Sequence, residues 1–159
     1  MAINKPHLLT KVGLKKLEAE LDHLKTTARE EVAERLHQAF DDGQDDDFID
    51  NAELDAARQE QSFIEGRIIE LEEILKNYEI IKGGKSEFVR VGTTVTVSEV
   101  GYDEEEKYVV VGEFEANPVD GKISNESPLG RALMGKKVGE QVQVNAPNGI
   151  LDFVIVKIK

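Results

Sequence analysis

The sequence predicts an α+β protein: an antiparallel coiled-coil hairpin over residues 1–81, a linker at 82–86, and a mainly antiparallel sheet with one short helix over 87–159. Three observations carry that prediction. Apolar residues in the first half recur in steps of three and four, the spacing of a helical seam. The second half is rich in Val, Ile and turn residues and alternates instead, as in Thr94-Val95-Thr96-Val97. Between them stands Gly83-Gly84, a pair that ends helices and loosens the chain.

Thr10 is a good N-cap, so the first helix is expected from there to about Phe40, with Leu14, Leu17, Leu21, Leu24 and Ala28 on its seam. The second helix repeats the spacing with Leu54, Ala57, Gln61, Ile64, Ile68, Leu71, Leu75 and Tyr78. Only Gln61 interrupts it, and a polar seam residue sets register at some cost in stability. Residues 41–50 suffice for nothing longer than a reversal, so the two helices should pack antiparallel. A helix of roughly thirty residues makes a rod on the order of 45 Å long, with the reversal at its far end. Strands are expected at Val89–Val97, Lys107–Glu113, Gln141–Asn145 and Leu151–Ile158, and a hairpin turn at Pro147-Asn148-Gly149. In 127–135, Ser127 reads as an N-cap, Pro128 as the first helical residue and Gly135 as the stop.

Charge restricts what such a protein can bind. With 32 acidic against 20 basic residues the formal net charge is -12. That surface excludes broad neutralisation of nucleic-acid phosphates, so any nucleic-acid role must be local or carried by a protein partner. No cysteine is present, which removes disulfides and thiolate metal sites. No apolar run approaches the roughly 18 residues that span a bilayer, and a soluble cytoplasmic protein is expected.

The reversal is the most informative segment, since six of the ten residues from Asp41 to Asp50 are Asp. Crowded carboxylates repel unless they are solvated or share a cation. Capping would use only one or two of them, and Phe48 and Ile49 sit among them with nothing intramolecular to cover them. An all-oxygen donor set points to magnesium, manganese or calcium. A calcium loop fails: counted from Asp42 its sixth position is Asp47, and from Asp45 it is Asp50, where glycine is required. Magnesium takes only one or two protein carboxylates, so this tip would complete a site that a partner supplies. His7, His23 and His37 are scattered, no phosphate-binding glycine loop occurs, and Arg58 and Arg67 on the second helix read as solvated or locally paired.

Asp47-Phe48-Ile49-Asp50-Asn51-Ala52-Glu53-Leu54, followed by Ala56-Ala57-Arg58-Gln59-Glu60-Gln61, resembles the tip motif of Gre-type transcript cleavage factors. Leu9-Thr10, Gly13, Lys16-Leu17 and Glu20-Leu21 resemble that family's opening segment, and Glu65-Gly66-Arg67-Ile68 its second helix. Residues 127–136 and Ala146-Pro147-Asn148-Gly149 resemble its C-terminal domain, so the likeness runs collinearly through the chain. The resemblance implies a coiled coil followed by an FKBP-like domain. It further implies that the C-terminal domain docks on bacterial RNA polymerase, through Ser127 and Pro128, while the hairpin enters the secondary channel. Asp47 and Asp50 would then act as the catalytic pair, helping to hold a Mg2+ that is shared with the polymerase active site and not bound tightly by this chain alone. Asp45 and Asp46 are further metal-ligand candidates, and Arg58 falls on the motif's basic, RNA-contacting position. The implied partners are the polymerase and the 3′ end of nascent RNA, with the chain a monomer and no membrane involved; it would activate the polymerase's own cleavage activity without being an enzyme itself.

Several residues depart from the family pattern. Asp50 is one methylene shorter than the usual Glu, Leu54 replaces Tyr, Phe40-Asp41 replaces Arg-Glu, and Gln44-Asp45-Asp46 are extra. The extra aspartates keep open an alternative in which the tip occupies the channel and inhibits the polymerase. A third reading, an FKBP-like binding module or chaperone, gives the charged tip no role.

Overall fold

The computed structural model describes residues 5–42 and 52–159. They fall into two compact units, one combining the chain up to Leu14 with Tyr78–Lys159 and the other comprising Lys15–Asn77. Tyr78 and its neighbours therefore belong with the sheet unit, as does the chain up to Leu14. The cause is a short parallel pair that periodicity could not announce. Strand β1 (His7–Leu9) lies beside β2 (Tyr78–Ile80), in the register His7 to Tyr78 and Leu9 to Ile80. Ile81 N–H extends the pair by donating to the Leu9 carbonyl at 2.8 Å. Parallel strands need a long crossover connection, and here all the intervening helices supply it.

The helical unit follows the expected spacing with one correction. The first helix is not continuous: α1 (Lys11–His23) and α2 (Arg29–Asp42) are joined by a π-helical turn, Leu24–Ala28. Continued past Ala28, the heptad would place Glu31, Arg35 and Gln38 on the seam. The apolar residues instead stand one position later, at Val32, Leu36 and Ala39, and Val32 and Ala39 are buried. A π turn accommodates one extra residue in a helix, and so returns the apolar stripe to the partner helix. Thr26 assists, its hydroxyl donating to the Asp22 carbonyl at 2.8 Å, a bond that bends helices.

Helix α3 (Ala52–Lys76) buries Ala57, Ile64, Ile68, Leu71 and Ile74. Val32, Ile64 and Ile68 form the centre of the unit, with Leu21, Leu24 and Ala28 packed against them. Gln61 is exposed and does not lie on the seam as expected; the half-buried residue between Ala57 and Ile64 is Glu60. At the far end Ile74 is buried in place of Leu75, because the helix stops at Lys76 and Tyr78 turns into β2. Ion pairs Arg35–Glu60, Arg29–Glu65 and Lys25–Glu72 run up one helix and down the other, which makes the hairpin antiparallel.

The other unit is built on a five-stranded sheet of order β5-β4-β3-β7-β6, comprising β3 (Thr94–Glu99), β4 (Glu105–Val111), β5 (Lys122–Ser124), β6 (Gln141–Ala146) and β7 (Gly149–Ile158). Three of its pairings are antiparallel, as expected, but β5 runs parallel to β4. This short strand was not foreseen, and neither was the irregular path of Val89 and Val91, which are buried without forming a strand. Val95, Val97, Val142, Val144, Phe153 and Ile155 alternate inward, and Leu133 of α4 (Pro128–Leu133) closes over them. The β6–β7 reversal is the expected Pro147-Asn148 turn, with Ala146 paired to Gly149.

A single polar constellation secures the start of α1. Thr10 caps the helix, its Oγ1 accepting from Gly13 N–H at 3.0 Å. Glu115, from a short 3-10 turn 105 residues away, accepts from both the Thr10 N–H and the Thr10 hydroxyl at 2.6 Å. A capping box ordinarily uses a Glu three residues after the cap. That position here is Gly13, and the Glu115 carboxyl occupies the space its Cβ would need. Nearby, Gly112 has to be glycine because the Leu8 carbonyl lies where its Cβ would be. Thr10→Val should therefore destabilise the fold by about 1–2 kcal/mol, read from a lower urea midpoint by circular dichroism. Gly112→Ala should cost more, since the obstacle is backbone; an unchanged midpoint there would contradict the close approach of β1.

Candidate functional site

The acidic candidates Asp45, Asp46, Asp47 and Asp50 lie outside the described residues, as do Phe48 and Ile49. The structure does describe the helix ends that deliver them. The last turns of α2 and the first of α3 lie side by side, sharing a groove lined by Arg35, Gln38, Ala39, Glu53, Ala56, Ala57 and Glu60. Small side chains make that approach possible, with Ala39 and Ala57 both buried. Arg35 then spans the groove, bonding Glu60 through both terminal nitrogens at 2.5 and 2.6 Å. Asp41 is paired with His37 one turn earlier, at 3.3 Å. Phe40 points outward and is 56% exposed.

Electrostatics along the hairpin follow from these pairs. Arg29 grips Glu65 with two bonds of 2.7 Å, and that bonding holds the Glu65 carboxyl below its ordinary value. Glu72 is lowered likewise by its hydrogen bond to Lys25. Arg67 bonds both Glu20 and Glu70, and the Glu20 bond is the main reason its own pKa is raised. Arg58 differs: it is exposed, and among the described residues it is the hairpin arginine whose guanidinium has no carboxylate partner. Its main-chain carbonyl accepts from the Ser62 hydroxyl at 3.0 Å. Leu54, half-buried, precedes it by one turn.

Ser127 and Pro128 lie in the other unit, at the start of α4. The Ser127 hydroxyl is fully engaged, donating to the Ser124 carbonyl at 2.7 Å and accepting from Gly130 N–H at 3.0 Å. Pro128 occupies the first helical position and is exposed. Of the two docking candidates, then, the serine builds the corner and the proline presents a surface. Among the described residues no group of three or more His, Asp or Glu could hold a metal ion, and no helix is long and apolar enough to cross a membrane. The expected seam also left Phe63 and Ile69 unmarked, although both are large, apolar and exposed. Their signal in the sequence was their place off the heptad spacing.

A family model described as the N-terminal part of a transcription elongation factor matches residues 7–80, and one described as the GreA/GreB C-terminal part matches residues 84–159. The chain belongs to the GreA/GreB family. Transcription elongation factor GreA of Thermoanaerobacter pseudethanolicus is 49% identical to it over 159 residues, covering 99% of each chain. The GreA of Acetivibrio thermocellus is 47% identical over 161 residues, covering 100% of this chain and 99% of that one. Among solved structures, GreA factor homolog 1 (Gfh1) of Thermus thermophilus is 33% identical, covers 98% of this chain and 99% of its own, and superposes with a TM-score of 0.44. The chain is thus a GreA-type transcription elongation factor, with the paired helices and the sheet unit of an α+β protein.

The lowered carboxyls make the hairpin acid-sensitive. Glu65 and Glu72 titrate below their ordinary value of 4.5 when folded. The unfolded chain therefore binds more protons just below that value, and the stability these pairs contribute is lost as pH falls through the lowered range. Helicity at 222 nm should melt at a lower temperature at pH 3 than at pH 6. The difference should shrink when Lys25→Gln and Arg29→Gln are combined, and also in 1 M salt.

Proposed function

We propose that this chain enters the secondary channel of bacterial RNA polymerase as a monomer and stimulates cleavage of backtracked nascent RNA, with Asp47 and Asp50 as the working carboxylates. The observation that carries the reading is the Asp-x-x-Asp-Asn-Ala-Glu frame of residues 47–53, set where two ion-paired antiparallel helices end side by side. Helix α3 alone has 25 residues, about 38 Å at 1.5 Å each. Such a reach suits a part that works inside a partner.

Asp47 and Asp50 offer only carboxylate oxygens, the donor type magnesium takes, and two carboxylates leave the other positions to water, RNA phosphate and the polymerase. The ion, shared with the polymerase active site and not held tightly by this chain alone, would stabilise charge on the attacking and leaving oxygens. The remaining roles belong to the protein's own residues. Arg58, one exposed guanidinium free of internal carboxylates among the described residues, would meet a phosphate near the RNA 3′ end. Ion pairs brace α2 against α3, so little ordering of the two helices is left to be done at the moment of reaction. Pro128, exposed beside the internally bonded Ser127, would meet the polymerase rim. The overall charge of -12 supports delivery by a protein partner over direct capture of nucleic acid.

A cleavage assay on stalled, backtracked polymerase with magnesium tests the reading. Asp47→Asn and Asp50→Asn should each slow stimulated cleavage by about tenfold or more, roughly 1.4 kcal/mol of barrier, with a smaller loss for Arg58→Ala. Wild-type cleavage by both Asn variants would sink the proposed pair. Suppression of both elongation and cleavage by the unaltered protein would instead favour inhibition through the Asp-rich tip, the reading that Gln44-Asp45-Asp46 keep open.

A further inference from the structure

Gly66 sits in the interior of α3, where glycine weakens a helix relative to any ordinary residue. Among the described residues nothing requires it: a Cβ built there meets no atom within 4 Å. Beside this notch stand two of the large exposed apolar side chains, Phe63 at 74% and Ile69 at 58% exposure, three residues before and three after it. At 100° per residue, Gln59, Ser62, Phe63, Gly66 and Ile69 share the face opposite the seam. These five residues are uncharged, in a chain of which 33% of residues are charged. Glu70 is the one charged residue inside the window they frame, and it shares Arg67 with Glu20, bonding it at 2.7 Å.

Acids close the window at both ends. Asp55 and Glu73 are exposed and eighteen residues apart, which is five helical turns, so they lie in line with Gly66 and about 27 Å from each other. Neither has a basic partner among the described residues. This pattern selects its occupant. A nucleic acid would meet carboxylates at both ends, with Arg58 at the margin the one arginine nearby that has no carboxylate partner among the described residues. A second copy would set acid against acid in either direction, Asp55 on Glu73 when antiparallel and like on like when parallel. A different protein remains, one that offers a small or apolar ridge to fit beside Phe63 and over Gly66, with Lys or Arg at each end.

We propose that the outer face of α3 centred on Gly66 docks against the polymerase, on a channel-lining segment with a small apolar centre and basic ends. The inference rests on the reading that the hairpin enters the channel and concerns a face of it distinct from the tip. Glycine is the residue of choice where a partner's backbone must come close. Phe63 would then give up its exposed surface to that partner, the usual role of a buried aromatic anchor.

The test uses the full chain and core RNA polymerase. Gly66→Leu should raise the melting temperature of the hairpin, since it removes a helix glycine into open space, yet weaken polymerase binding at least tenfold. Phe63→Gln should weaken binding similarly, and Asp55→Lys with Glu73→Lys together should slow association and remove its salt dependence. Stronger folding with weaker binding separates docking from damage. Wild-type affinity in both Gly66→Leu and Phe63→Gln would overturn this surface while leaving the tip reading intact. Failure of the unaltered protein to bind polymerase would overturn both. A wild-type dimer in sedimentation that Gly66→Leu dissociates would assign the face to a second copy and overturn the proposal.

Discussion

Glu115 fixes the start of α1 within the sheet unit, and the N-terminal strand of that unit depends on the grip. Its carboxylate accepts the main-chain N–H and the hydroxyl of Thr10, at the end of α1 where the helix dipole also favours negative charge. Charge-assisted bonds of this kind contribute about 1.5–3 kcal/mol each. The strand before the cap could not persist by itself. A three-residue parallel pair buries little and is weaker per residue than an antiparallel one. It lasts because Leu8 and Ile81 pack on the sheet core and because Gly112 lets the Leu8 carbonyl come close. Two glycines thus serve one carboxylate and one carbonyl: Gly13 makes room for the first and Gly112 for the second.

Along the hairpin a different constraint operates. Heptad packing tolerates no extra residue, because one more position rotates every later apolar side chain by about 100°. The chain carries such a residue between Leu24 and Val32, and the π turn at Leu24–Ala28 absorbs it. The consequence reaches the functional end. With Val32 and Ala39 back on the seam, α2 and α3 stay close enough for Arg35 to clasp Glu60, and their last and first turns remain neighbours. The ion pairs themselves are exposed and contribute modestly; they engage Arg29, Arg35 and Arg67, so that Arg58 is the hairpin arginine with no carboxylate partner among the described residues.

The sheet unit shows the same economy in its corner. Ser127 looked like a residue for contact, but its hydroxyl bridges Ser124 and Gly130 and so forms the turn that presents Pro128.

Much of this was legible in the sequence, and for a definable reason. Local signals report local structure: the Thr10 and Ser127 caps, the seam through Ile64, Ile68 and Leu71, the inward alternation of Val95, Val97, Phe153 and Ile155, and the Pro147-Asn148 turn each depend on a few adjacent residues. The acidic frame of residues 47–53 was equally plain, being a contiguous motif. What the tertiary structure alone decided involves partners far apart in the chain. The pairing of β1 with β2, the replacement of a capping-box glutamate by Glu115, the parallel attachment of β5 and the commitment of Arg29, Arg35 and Arg67 all join residues with no local pattern. Gly66 belongs with these. In sequence a helix glycine could serve packing or a partner, and only its open surroundings, between the uncovered Phe63 and Ile69, distinguish the two.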